Sequence, residues 1–148
     1  MKKRIDHRDR SAVLWWETEY DGAAIYALID KEGKMYIGRA SQLQKRLYAH
    51  RRALQRARDG SPGSLGGEGH RLVEAAAQGK KFEARILRKF PEEEVTMNVL
   101  RYWECHYYEQ FGKRKNPWDI AYNLYNSTQP NPPVWHYEPL NVPIKTVT

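Results

Sequence analysis

Between Arg39 and Arg58 the chain carries seven basic residues, Arg39, Lys45, Arg46, Arg51, Arg52, Arg56 and Arg58, and no acid. Outside that stretch the remaining bases balance the 18 acids, so this segment alone accounts for the formal net charge of +7. A neutral body with one basic stripe is the electrostatic footprint of a polyanion binder, although a solvated helix face has the same composition. Arg46 and His50 are four residues apart and share a helix face. A planar guanidinium there can fork onto a phosphate. Upstream, two short apolar runs each carry a tyrosine, Tyr26 and Tyr36. On adjacent antiparallel strands the two can lie close together on one face. A tyrosine hydroxyl in a strongly positive site can be acidified enough to take a proton from water, but strand tyrosines also simply pack.

Short strands and two amphipathic helices have to hold these groups. Residues 23–29 (AAIYALI) read as a buried strand. Asp30-Lys31-Glu32-Gly33 is turn chemistry, and residues 34–38 (KMYIG) form a second strand, giving a β-hairpin. Ser41 is the expected N-cap of a helix over residues 42–58, whose apolar face is Leu43, Leu47 and Leu54. Arg46 lies about 80° and His50 about 40° from the centre of that face, at or near its margin. A Gly/Ser/Pro-rich loop (59–69) and a short helix (70–78) follow. Residues 82–87 alternate as a third strand. Pro91 followed by Glu92, Glu93 and Glu94 predicts a helix start, with the helix running to Phe111. Val95, Val99, Leu100, Trp103, Tyr107 and Phe111 form its apolar stripe. Glu104 lies about 80° from the stripe's centre, facing the domain, whereas Glu109 lies well over 100° away and is expected to be solvated.

These elements predict an α+β fold with a small three-stranded antiparallel sheet flanked by helices. The expected organisation is a basic N-terminal extension (1–20), a domain (21–125) and an extended proline-rich tail (126–148). Val13 to Trp16 can add either a strand or a short helix. The 148 residues suit one compact domain with a core of its own. No run approaches the roughly 20 apolar residues of a membrane span. The apolar run at residues 12–16 is too short for a signal peptide. A single cysteine, Cys105, excludes an internal disulfide and a Cys-rich zinc site, is expected to be inert, and fits a reducing, cytoplasmic compartment. Trp15, Trp16, Trp118 and Trp135 are expected to pack the termini, with base stacking as the alternative.

Ala24-Ile25-Tyr26, then Tyr36-Ile37-Gly38, Arg46, His50, Glu104 and Tyr122-Asn123 occur in an order that resembles the GIY-YIG nuclease family over roughly residues 22–125. Ala24 departs from the first glycine of the pattern. The resemblance implies a metal-dependent DNA endonuclease. Glu104 would be the ligand of one Mg²⁺ or Mn²⁺, Tyr26 or Tyr36 the water-activating group, and Arg46 and His50 the other catalytic residues. Gly38 and Asn123 would support the site, and Arg39 would bind phosphate. Lys45, Arg51, Arg52 and Arg56 are then expected as DNA backbone contacts. Phosphodiester hydrolysis needs an activated water, positive charge on the non-bridging oxygens and help for the leaving oxygen. A hard divalent ion on one carboxylate can supply the last two. The biological role (restriction, homing or repair) stays open. A non-catalytic nucleic-acid-binding module is the competing expectation. Cutting both strands with one site per chain requires a homodimer or sequential nicks, and the proline-rich tail is the candidate dimer contact.

Overall fold

The computed structural model describes residues 6–60, 70–91 and 95–133. Its elements are β1 (Leu14–Trp16), β2 (Ala23–Asp30), β3 (Met35–Ala40), α1 (Leu43–Arg58), α2 (His70–Ala77), β4 (Phe82–Phe90) and α3 (Met97–Phe111). The α+β layout is the expected one, but the sheet has four strands, in the order β1-β4-β2-β3. The extra strand comes from the first 20 residues. Val13, Leu14 and Trp16 are fully buried, and β1 pairs parallel with β4. The other pairings are antiparallel.

Alternation along β2 explains the layering. Ala24, Tyr26 and Leu28 pack with Leu43, Leu47 and Leu54 of α1 and Leu72 of α2. Ala23, Ile25 and Ala27 face the other way, onto Leu100, Trp103 and Tyr108 of α3. The hairpin joining β2 and β3 turns at Asp30, whose Oδ1 accepts from the backbone N–H groups of Glu32 and Lys34. Gly33 takes a φ of 90°, which a residue with a side chain rarely adopts.

Two helix starts differ from expectation. α1 begins at Leu43, and Ser41 does not cap it. Its first free N–H groups are met from the preceding loop: Gly22 O accepts from Leu43 N, and Asp21 Oδ1 accepts from Gln44 N. α3 begins at Met97, not at Pro91. β4 continues to Phe90, and Thr96 is the cap, its side chain accepting from Val99 N at 3.2 Å. Val95 therefore precedes the helix. Glu92 to Glu94, most of the 59–69 loop, Trp135 and the tail from 134 onwards lie outside the described residues. Among the described residues, no helix is long and apolar enough to cross a membrane.

β3 is an outer strand, and its edge is partly covered by the chain after α3. Leu124 bridges Met35, and Tyr125 N donates to Met35 O at 2.8 Å. The Asn126 side chain then replaces a strand, with Oδ1 accepting from Ile37 N at 2.9 Å and Nδ2 donating to Ile37 O at 2.8 Å. This satisfies backbone groups that an open edge would leave bare.

Candidate active site

A cleft of about 840 Å³ opens beside the end of β3. Tyr26, Tyr36, Arg39, Lys45, Arg46 and Glu104 all line it. The pleat explains their placement. Tyr26 is registered against Gly38, and Tyr36 lies two residues from Gly38, so both rings project towards α1. Arg39 projects to the opposite face, where α3 brings Glu104.

On the α1 side, His50 is fully buried between the two tyrosines. Their ring centroids lie 5.7 Å (Tyr26) and 5.6 Å (Tyr36) from the imidazole. Tyr26 Oη and His50 Nε2 share a hydrogen bond of 2.6 Å. Tyr26 is almost wholly buried, whereas Tyr36 is half-buried. Gly38 makes this arrangement sterically possible. A Cβ at that position would lie 2.5 Å from both Tyr26 Cζ and Oη, well inside van der Waals contact. The glycine of Tyr36-Ile37-Gly38 is therefore the seat on which the Tyr26 ring rests. One turn before His50, Arg46 is exposed on the wall of the cleft.

On the α3 side, the Glu104 side chain is 9% exposed, and Arg39 Nη1 donates to its Oε1 at 2.6 Å. Burial pushes the Glu104 carboxyl above the usual carboxylate range, against the opposing pull of Arg39, Arg46 and Arg101. Burial, with Glu104 and Glu109 nearby, also pushes the Cys105 thiol up to about 11, in keeping with an inert role. Glu109 is exposed and pairs with Arg114.

The described residues contain no group of three or more His, Cys, Asp or Glu side chains able to hold a metal ion. Glu104 is the carboxylate that lines the cleft. That donor set fits Mg²⁺ or Mn²⁺, hard ions that keep several waters and take the remaining oxygens from a bound phosphate. It does not fit a structural zinc site.

Four other candidates lie apart from the cleft lining. Arg52 and Arg56 are exposed on α1. Arg51 is turned to the N-terminal segment, donating to Asp6 O at 3.1 Å and lying over the Trp16 ring. Asn123 closes the loop after α3. Its Nδ2 donates to Phe111 O at 2.9 Å, and its Oδ1 accepts from Lys113 N at 2.6 Å. Asn126 instead lines the cleft and clasps Ile37, between Tyr36 and Gly38. The sequence reading missed it. The available signal was that Tyr125-Asn126 repeats Tyr122-Asn123 three residues later. Of the tryptophans, Trp16 is buried, Trp15 lies under the Arg10 guanidinium, and Trp118 is 76% exposed.

No curated protein and no solved structure matches the chain. The family model of the GIY-YIG catalytic domain matches residues 22–117. That span runs from the start of the hairpin, through both tyrosines, Arg46 and His50, to the loop after Glu104. The chain belongs to the GIY-YIG family of nucleases.

Proposed function

We propose that the protein is a DNA endonuclease that hydrolyses phosphodiester bonds with one Mg²⁺ or Mn²⁺. The observation that carries this reading is that a single cleft gathers a carboxylate, two tyrosines, two arginines and a lysine. Glu104 would hold the ion. When bound, the ion supplies positive charge to the phosphate and to the leaving oxygen. Arg46 would fork onto a non-bridging oxygen and stabilise the charge that develops there. Tyr36 would take the water's proton, because it is less buried than Tyr26, whose hydroxyl is bonded to His50. His50 would hold Tyr26 in place and position it beside Tyr36. Lys45, Arg52 and Arg56 would contact the DNA backbone along α1. With one such site among the described residues of each chain, cutting both strands would take two copies or two successive nicks.

Supercoiled plasmid incubated with Mg²⁺ should be nicked by the native chain. Glu104→Gln should abolish nicking, and Arg46→Ala should lower the rate about 10²–10³-fold, as loss of one transition-state donor does. Equal nicking by all three would overturn the assignment. DNA binding without cleavage in any of them would identify a non-catalytic binding module.

A further inference from the structure

Glu104 already has a cationic partner without a metal ion. Arg39 reaches it from the outer strand through a 2.6 Å contact, and its Nε lies 3.3 Å from Met97 Sδ on the rim of the cleft. A carboxylate this buried keeps its charge only with a partner of this kind. A divalent ion would need lone pairs of the same carboxylate. Placing it on the carboxyl group beside the guanidinium would bring like charges within a few ångström, where their repulsion is large. A phosphate bound in the cleft would offer Arg39 a second acceptor. The Arg39 side chain is 28% exposed and lines the cleft in which a phosphate would lie. The guanidinium fork matches phosphate as well as carboxylate.

Taking Glu104 as the cation ligand, we propose that Arg39 is an exchangeable positioning residue. It neutralises Glu104 in the empty cleft and passes to a DNA phosphate when a divalent cation takes the carboxylate. The exchange couples the two ligands. DNA that draws Arg39 away leaves Glu104 free for the cation, and the cation on Glu104 leaves Arg39 free for DNA. Such coupling must be reciprocal. A purely structural Arg39–Glu104 pair would produce none. Arg46 provides the comparison, because its charge also acts on Glu104 but less strongly than that of Arg39, which adds a hydrogen bond.

Ca²⁺ binding to the full chain without DNA, measured by calorimetry, tests the first half. Arg39→Ala should tighten Ca²⁺ binding by about fivefold or more, the lower end of ordinary coupling energies. Arg46→Ala should tighten it clearly less, and Glu104→Gln should lose the site. Arg39→Gln keeps a hydrogen-bond donor while removing the charge. It carries the same expectation and replaces Arg39→Ala if melting shows that the alanine variant does not fold. Anisotropy of a labelled duplex, with and without Ca²⁺, tests the second half. Ca²⁺ should strengthen DNA binding in the native chain and do so distinctly less in the Arg39 variants. Unchanged or weaker Ca²⁺ binding in the Arg39 variants overturns the exchange, as does equal coupling in native chain and variants. If Ca²⁺ binds neither native chain nor variants even with DNA present, Glu104 is not a cation ligand and the exchange falls with it.

Discussion

A single missing methyl group fixes the position of Tyr26. The ring lies where a Cβ of residue 38 would be, and its hydroxyl reaches buried His50 behind it. Gly38→Ala should therefore force the ring off His50, destabilise the protein by about 1–3 kcal/mol as overpacked sites do, and abolish nicking. Urea unfolding together with the plasmid assay checks this, and native activity in a normally stable variant would contradict it. At this scale much of the site was legible. Tyr26, Tyr36, Arg39, Lys45, Arg46 and Glu104 all line one cleft because strand parity and helix angle are local rules that sequence spacing carries. Arg51 and Asn126 were not legible. Nothing near Arg51 in the sequence says that Asp6 and Trp16 will claim it. The choice between Asn123 and Asn126 depends on which one reaches Ile37, a contact 89 residues away in the chain.

Helix starts show the same limit one level up. Pro91 with three following glutamates has the composition of a first turn, yet β4 claims the chain through Phe90, and Thr96 provides the cap. β4 stays paired with β2 up to Phe90, and the Thr96 side chain sets the start of α3. At α1 the cap is tertiary, coming from Asp21 in the loop before β2. Each cap is testable in the same way. Asp21→Ala and Thr96→Ala should each cost about 1 kcal/mol in urea unfolding, whereas Ser41→Ala should be close to neutral. A loss at Ser41 comparable to that at Asp21 would reverse the assignment of the α1 cap. The hairpin and the α1 and α2 spans were read nearly as they occur, because each is bounded by its own turn chemistry.

Across the whole molecule, the chain after α3 ties the sheet to both of its faces. Tyr125 donates its phenol proton to buried Asp30, and burial, reinforced by that carboxylate, pushes the phenol well above its usual range. The folded chain thus holds this proton to higher pH than the unfolded chain, where tyrosine titrates near 10. The stability the pair contributes is complete below about pH 10 and is lost as pH rises through the folded value. Tyr125→Phe should lower Tm at neutral pH and flatten the decline of Tm on the alkaline side. Melts from pH 7 to 11 check this, and an unchanged alkaline slope would count against it. The four-stranded sheet was only partly legible at this scale, since the parallel partner of β1 lies more than 60 residues downstream. The covered edge of β3 has a practical consequence. The family match ends at residue 117, but the strand's edge groups are met by Leu124, Tyr125 and Asn126. A chain shortened at 117 would keep Glu104 and both tyrosines yet present bare N–H and C=O groups, a template for other copies to add strands. Such a chain should aggregate at concentrations where one ending at 133 stays dispersed, as light scattering would register. Solubility is then expected to depend on a few residues beyond the matched span.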